Sequence, residues 1–251
     1  MNSTEKIYAS LIVMSLIAVN IFMPLFLKAQ KPGRSGKSLF LKMCCATMYL
    51  LAGFSAFMYS GNRSFYAFHI ILGLCLSWLG DVFLHIPGNR KWPFGLGFLF
   101  FLSAHIVYII TYFKADEAVA GKVTFTFIDV LIIMILTVFG AVTSALHFHI
   151  NLKKTIFIPI LIYTLALTTM FDRALMMCVR IFSASRFSSM RPGAVLALIG
   201  AAFFTVSDFY MIPLCFSGGK YKTHPRKIIN VYTYYLGQIM IGLSMIFISL
   251  G

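Results

Sequence analysis

Acidic residues are scarce in this chain. There are 7 Asp and Glu among 251 residues, and charged residues of both signs make up only 11%. A water-soluble domain carries about a quarter charged residues, so a soluble fold is excluded. Cysteine is also sparse. Cys44, Cys45, Cys75, Cys178 and Cys215 all lie in apolar runs, and none forms a CxxC pair. They read as small core hydrophobes rather than as redox or zinc motifs. Among six histidines the closest pairing is His147-x-His149, with no HExxH and no helical His-x-x-x-His. That excludes the usual zinc hydrolase patterns. The absence of G-x-S-x-G excludes a serine nucleophile on a strand-to-helix elbow. No metal and no cofactor are expected. The first apolar run lacks an A-x-A-like cleavage site, so it reads as a span and not as a signal peptide.

What the chain has is hydrocarbon. Hydrophobic residues make up 60% and the mean hydropathy is +0.88. Eight apolar runs reach the roughly 20 residues that cross a bilayer as a helix: approximately 7–27, 39–59, 66–86, 94–113, 123–146, 155–180, 193–216 and 228–250. Continuous runs of this length exclude the alternating ten-residue pattern of a membrane barrel. The expectation is an all-α, polytopic bundle of about eight transmembrane helices, forming one integral membrane domain over 1–251. The connections are short and rich in Gly, Pro, Lys, Arg and Asn.

The net charge is +14. The basic residues sit in short loops between spans, which points to topology and anionic headgroups rather than to nucleic acid. With Lys42 counted into the first connection, the odd-numbered connections hold 13 of the 21 Lys and Arg. The N-terminal tail and even-numbered connections hold 7, and Arg173 lies within a span. This bias places both termini outside the cytoplasm.

Charges within spans are rare, and each is a functional candidate. Asp81 lies in the third span, Asp208 in the seventh, Asp129 near the start of the fifth, and Asp172 and Arg173 in the sixth. His69, His85 and His105 lie in or near spans. Asp81 falls about five residues, or roughly 8 Å, from the end of its span, and Asp208 about eight residues, or roughly 12 Å. Both spans end on the same side, so the two carboxylates share a depth. Two carboxylates together in low dielectric resist carrying two charges, so one proton held between them is expected. That supplies a proton donor and an acceptor in one site. Ser77 shares the face of Asp81 one turn earlier. Ser207 adjoins Asp208. His105 and Tyr108 share a face of the fourth span, and Tyr234, Tyr235 and Gln238 form a polar stripe on the eighth. Asp129 and Arg173, in the opposite half, read as a structural ion pair. A short echo, GLCLSWLGD at 73–81 and GAAFFTVSD at 200–208, places each aspartate eight residues after a glycine. It fits a parallel repeat, as in some transporters.

Four segments together carry a family resemblance: GLCLSWLGDVFL (73–84), GLGFLFFLSAHIVYIITYF (95–113), GAAFFTVSDFYM (200–211) and TYYLGQIMIGLS (233–244), with a shorter match at MFDRA (170–174). In this order they resemble the YhhN-like lysoplasmalogenase family. After Asp208 the chain reads FYMIPLCFSGGK, where members often have an Asn-Lys-Phe stretch. The resemblance implies an eight-helix membrane hydrolase. Such an enzyme cleaves the vinyl ether of lysoplasmalogens to a fatty aldehyde and a glycerophospho-headgroup, without metal or cofactor. It also implies Asp81 and Asp208 as the catalytic pair. Ser77, His105, Tyr108, Ser207, Tyr234, Tyr235 and Gln238 then bind or orient the substrate, a lysophospholipid within the bilayer. The competing reading is a proton-coupled transporter or channel for a lipid or small amphiphile. A non-catalytic scaffold is a third.

Overall fold

The computed structural model describes residues 3–30, 34–61, 63–88, 92–143, 154–216 and 223–250. They form eight helices: α1 (Ser3–Ala29), α2 (Gly36–Ser60), α3 (Phe65–His85), α4 (Trp92–Ala120), α5 (Phe127–Val142), α6 (Lys154–Ser183), α7 (Arg191–Phe216) and α8 (His224–Leu243). Local sequence sets several boundaries. Ser35 caps α2 and exchanges hydrogen bonds with Ser38 in a capping box. Ser64 accepts from the Ala67 amide to start α3, and Gly61 closes α2 at φ 60°.

Among the described residues six helices are long and apolar enough to cross a membrane: α1, α2, α3, α4, α6 and α7, the last with the 3-10 turn before it. α5 is apolar but only 16 residues long, and the end of its predicted span, 144–146, lies outside the described residues. α8 carries the polar stripe and stops at Leu243, earlier than expected. α4 runs on to Ala120, past the predicted 113, because the Lys114–Glu117 stretch continues as helix and not as loop. The protein is a multi-pass helical membrane bundle. The outer faces are consistent with this. Ile17 and Ile21 on α1 and Phe127, Met134 and Phe139 on α5 are exposed, which suits lipid.

Helices α1–α2, α3–α4 and α7–α8 pack as close pairs. α6 packs on both α4 and α7, α2 contacts both α3 and α8, and α5 leans on α6. The α7–α8 contact depends on glycine. A Cβ on Gly200 would stand 2.8 Å from the Gly237 carbonyl oxygen and 2.9 Å from the Ile241 amide, and a Cβ on Gly237 would meet the Gly200 carbonyl at 2.8 Å. These are backbone atoms and cannot step aside. Gly200→Val is therefore expected to force the helices apart. The destabilisation should be about 1–3 kcal/mol, read as a lower melting temperature in detergent. An unchanged melting temperature would show that the close approach carries no weight.

The opposite half of the bundle holds a buried ion network. Arg173 pairs with Asp129 of α5 and with its own neighbour Asp172, Nη2 at 2.6 Å and Nε at 2.8 Å. Its guanidinium also lies 4.4 Å over the Phe125 ring. Asp129 also completes the capping box of α5, its carboxylate accepting from the Thr126 amide and the N-cap Thr126 hydroxyl accepting from the Asp129 amide at 3.3 Å. The expected Asp129–Arg173 pair is therefore present. Arg180 reaches Asp116 of α4 at 2.7 Å.

Candidate active site

Asp81 stands in the last turn of α3 and is 1% exposed. Gly80 beside it lets the Phe101 ring of α4 lie against α3, since a Cβ there would sit 2.6 Å from the ring. Both carboxylate oxygens of Asp81 are engaged. Lys42 Nζ of α2 lies 2.9 Å from Oδ1. The Tyr234 hydroxyl of α8 donates to Oδ2 at 2.8 Å. Tyr235, the next residue, donates to the Lys42 carbonyl at 3.3 Å.

Asp208, on α7, is 2% exposed. Its Oδ2 accepts from the Tyr163 hydroxyl of α6, and His105 Nε2 of α4 lies 3.2 Å from the same oxygen. His105 and Tyr163 also meet each other at 3.2 Å. A chain of contacts joins the two carboxylates, from Asp81 Oδ2 through Tyr234, Phe204 and His105 to Asp208 Oδ2. A wall of rings runs between their partners. The Tyr234 and Phe204 centroids are 5.5 Å apart, Phe204 and His105 4.7 Å, and Phe101 and Tyr234 5.8 Å. Each acid therefore has its own donor set, an ammonium and a phenol for Asp81 and an imidazole and a phenol for Asp208.

The remaining predicted residues divide. Tyr108 donates to Gln238 Oε1 at 3.1 Å, tying α4 to α8, and Ser77 lies alongside the Tyr108 hydroxyl. Gln238 Nε2 and His105 Nδ1 are buried without a hydrogen-bond partner. Such groups are uncommon in a dry interior and leave two polar contacts available. Ser207 faces away. Asn230 Nδ2 donates to its Oγ at 3.0 Å and to its carbonyl at 2.8 Å, clamping α8 to α7. His85 bonds Ser38 at 3.1 Å and ties α3 to α2, while His69 bonds the Phe65 carbonyl of its own helix at 2.9 Å. Among the described residues no group of three or more His, Cys, Asp or Glu is placed to hold a metal ion.

Two site residues escaped the sequence. Lys42 lies within the second apolar run, but counting it with the loop cations hid its inward role. Tyr163 is a single tyrosine in the apolar stretch ILIYTLAL, with no charged or polar partner on its own helix to mark it. Tyr163 also walls an apolar crevice between α3, α4, α6 and α7, together with Leu84, Phe94, Phe98, Ile160, Met211, Ile212 and Cys215.

The YhhN family model matches residues 38–245. The chain belongs to the YhhN family. The match takes in all of α3 to α8, so both aspartates and every partner named above lie within the YhhN region. A curated relative, the lysoplasmalogenase homolog of Dictyostelium discoideum, is 26% identical over 201 residues. The alignment covers 73% of this chain and 65% of that protein, so this YhhN chain spans less than two thirds of its relative's length. No solved structure matches the chain.

Proposed function

We propose that the protein is a lysoplasmalogenase-type hydrolase that cleaves the vinyl ether of a lysoplasmalogen by acid–base catalysis with Asp81 and Asp208. One observation carries the reading. Two carboxylates, nearly inaccessible to water, are joined through Tyr234, Phe204 and His105 in a family whose curated relative is named for this activity.

The chemistry needs only groups of this kind. A carboxylic acid gives its proton to the alkene carbon distal to the ether oxygen. The π electrons form the new C–H bond, leaving a positive charge shared by the other alkene carbon and that oxygen. A carboxylate nearby stabilises this cation, as paired carboxylates do in glycoside hydrolysis. The faces of Tyr234, Phe204 and Phe101 add attraction of the cation–π kind. Water then adds to the cationic carbon while a carboxylate takes its proton, giving a hemiacetal. The hemiacetal loses its hydroxyl proton as the C–O bond to glycerol breaks and the glycerol oxygen is protonated. The products are a fatty aldehyde and a glycerophospho-headgroup. No cofactor enters these steps.

In this reading Gln238 Nε2 and His105 Nδ1 face the polar end of the substrate. The phosphate is drawn to the basic side, where Arg226 and Lys227 begin α8. Arg90, Lys91, Lys220 and Lys222 of the same side lie outside the described residues. Both termini lie outside the cytoplasm.

The test is purified protein in detergent with lysoplasmenyl-ethanolamine. Release of fatty aldehyde in stoichiometric amount with glycerophosphoethanolamine is the expected result. Uptake of the lipid into sealed vesicles with no aldehyde would replace this reading with transport.

A further inference from the structure

A lysine near the edge of a membrane helix ordinarily extends its ammonium outward to the headgroups. Lys42 does the reverse. Its side chain is 15% exposed, and its Nζ turns inward to within 2.9 Å of Asp81 Oδ1, on a carboxylate that is 1% exposed. The turn of α2 that carries it is fixed to α8, because the Tyr235 hydroxyl donates to the Lys42 carbonyl at 3.3 Å. Asp208 has no fixed cation beside it, His105 being charged only when its imidazole is protonated. Its partners are a phenol and an imidazole, and among the described residues no Lys or Arg reaches it. The two acids of the site are thus chemically unlike.

We infer that Lys42 is a positioning residue that divides the labour between the two carboxylates, holding Asp81 as the anion and leaving Asp208 to carry the proton. The inference rests on the hydrolase reading and assigns roles within it. Asp208 protonates the alkene carbon, and the Asp81 carboxylate then takes the proton of the water that adds. At this point Asp81 is protonated and Asp208 ionised. In the collapse of the hemiacetal, Asp81 gives its proton to the departing glycerol oxygen and Asp208 takes the hydroxyl proton. Both groups return to their starting states, so the cycle closes without an outside proton carrier.

The groups facing Asp81 are few. They are Lys42, Cys45 and Tyr49 of α2, Tyr234 and Tyr235 of α8, and Asp208 of α7, with the apolar Phe101 on the α4 side. Lys42 is the one cation among them. Asp81 acts as the ionised form, so its activity is lost as pH falls through the range in which it takes up a proton. Without a neighbouring ammonium a carboxylate keeps its proton to higher pH.

The experiment is the pH–rate profile for aldehyde release from lysoplasmenyl-ethanolamine, measured on the purified full chain in detergent. It compares the wild type with Lys42→Met, Lys42→Gln and Lys42→Arg. Lys42→Met and Lys42→Gln are expected to lose at least tenfold in kcat at neutral pH. Their rising limb should move up by about one pH unit or more, a unit being a factor of ten in ionisation. Lys42→Arg keeps the wild-type limb. Lys42→Gln retains a hydrogen-bond donor and separates charge from contact, and it stands in where Lys42→Met does not fold. A uniform loss in both neutral variants with the limb unmoved would reduce Lys42 to a structural tie and overturn the inference. Wild-type rates in both would do the same. Wild-type protein that releases no aldehyde at any pH would instead sink the hydrolase reading itself.

Discussion

Asparagine in place of Asp81 or Asp208 is expected to lower aldehyde release by about 10³-fold while leaving the bundle folded. General acid–base groups contribute about 10²–10⁴ in rate, and in the proposed mechanism each aspartate has a separate role that the other, with different partners, does not fill. Asparagine preserves size and an acceptor oxygen, so the Tyr234 hydroxyl still has a partner at 81 and the Tyr163 hydroxyl at 208. In Asp81→Asn the Lys42 ammonium loses its counter-ion, but the side chain is partly exposed and can turn toward the headgroups. The checks are the aldehyde assay and the melting temperature on the same preparation. Either variant retaining a tenth or more of the wild-type rate would remove that aspartate from the chemistry.

The largest expected effect on stability lies at the other end of the molecule. Arg173 is 1% exposed and serves Asp129 and Asp172 together. Arg173→Met keeps much of the volume but leaves two buried carboxylates without their cation. Breaking a buried pair from one side costs about 3–5 kcal/mol, which for a chain of this size is roughly a 10 °C fall in melting temperature. Since α5 packs chiefly on α6, its attachment is the first contact to fail. Adding Asp129→Asn and Asp172→Asn to Arg173→Met is expected to recover much of the loss, because no unpaired charge then remains inside. A single variant as stable as the wild type would mean that water reaches the network freely.

These two charge clusters differ in how far the sequence revealed them. The helices were legible because lipid demands long apolar runs, and the caps at Ser35 and Ser64 are local signals. The far end of α4 was not, since KADEAVA reads as a polar connection until Asp116 is seen to meet Arg180. Asp129 and Arg173 were legible as opposite charges at similar depth on consecutive spans. Asp81, Asp208, His105 and Tyr234 stood out as polar groups in apolar surroundings. Lys42 and Tyr163 did not, because their meaning comes from the facing helix. Helical periodicity tells which residues share a face, but not which face of another helix they meet. The Gly–Asp echo of 73–81 and 200–208 has a packing component. Gly73 seats the Tyr108 ring and Gly200 seats the α8 backbone, so in each helix the glycine marks the inward face two turns before the acid.

The central claim is proton delivery from a buried carboxyl group to carbon, and the product itself records it. Wild-type protein is equilibrated in D₂O, turned over on lysoplasmenyl-ethanolamine, and the aldehyde trapped at once with borohydride for mass spectrometry. The account predicts one deuterium on the carbon next to the former carbonyl in every product molecule. Aldehyde formed without that deuterium would mean that the double bond is never protonated at carbon, and the acid–base account would be contradicted.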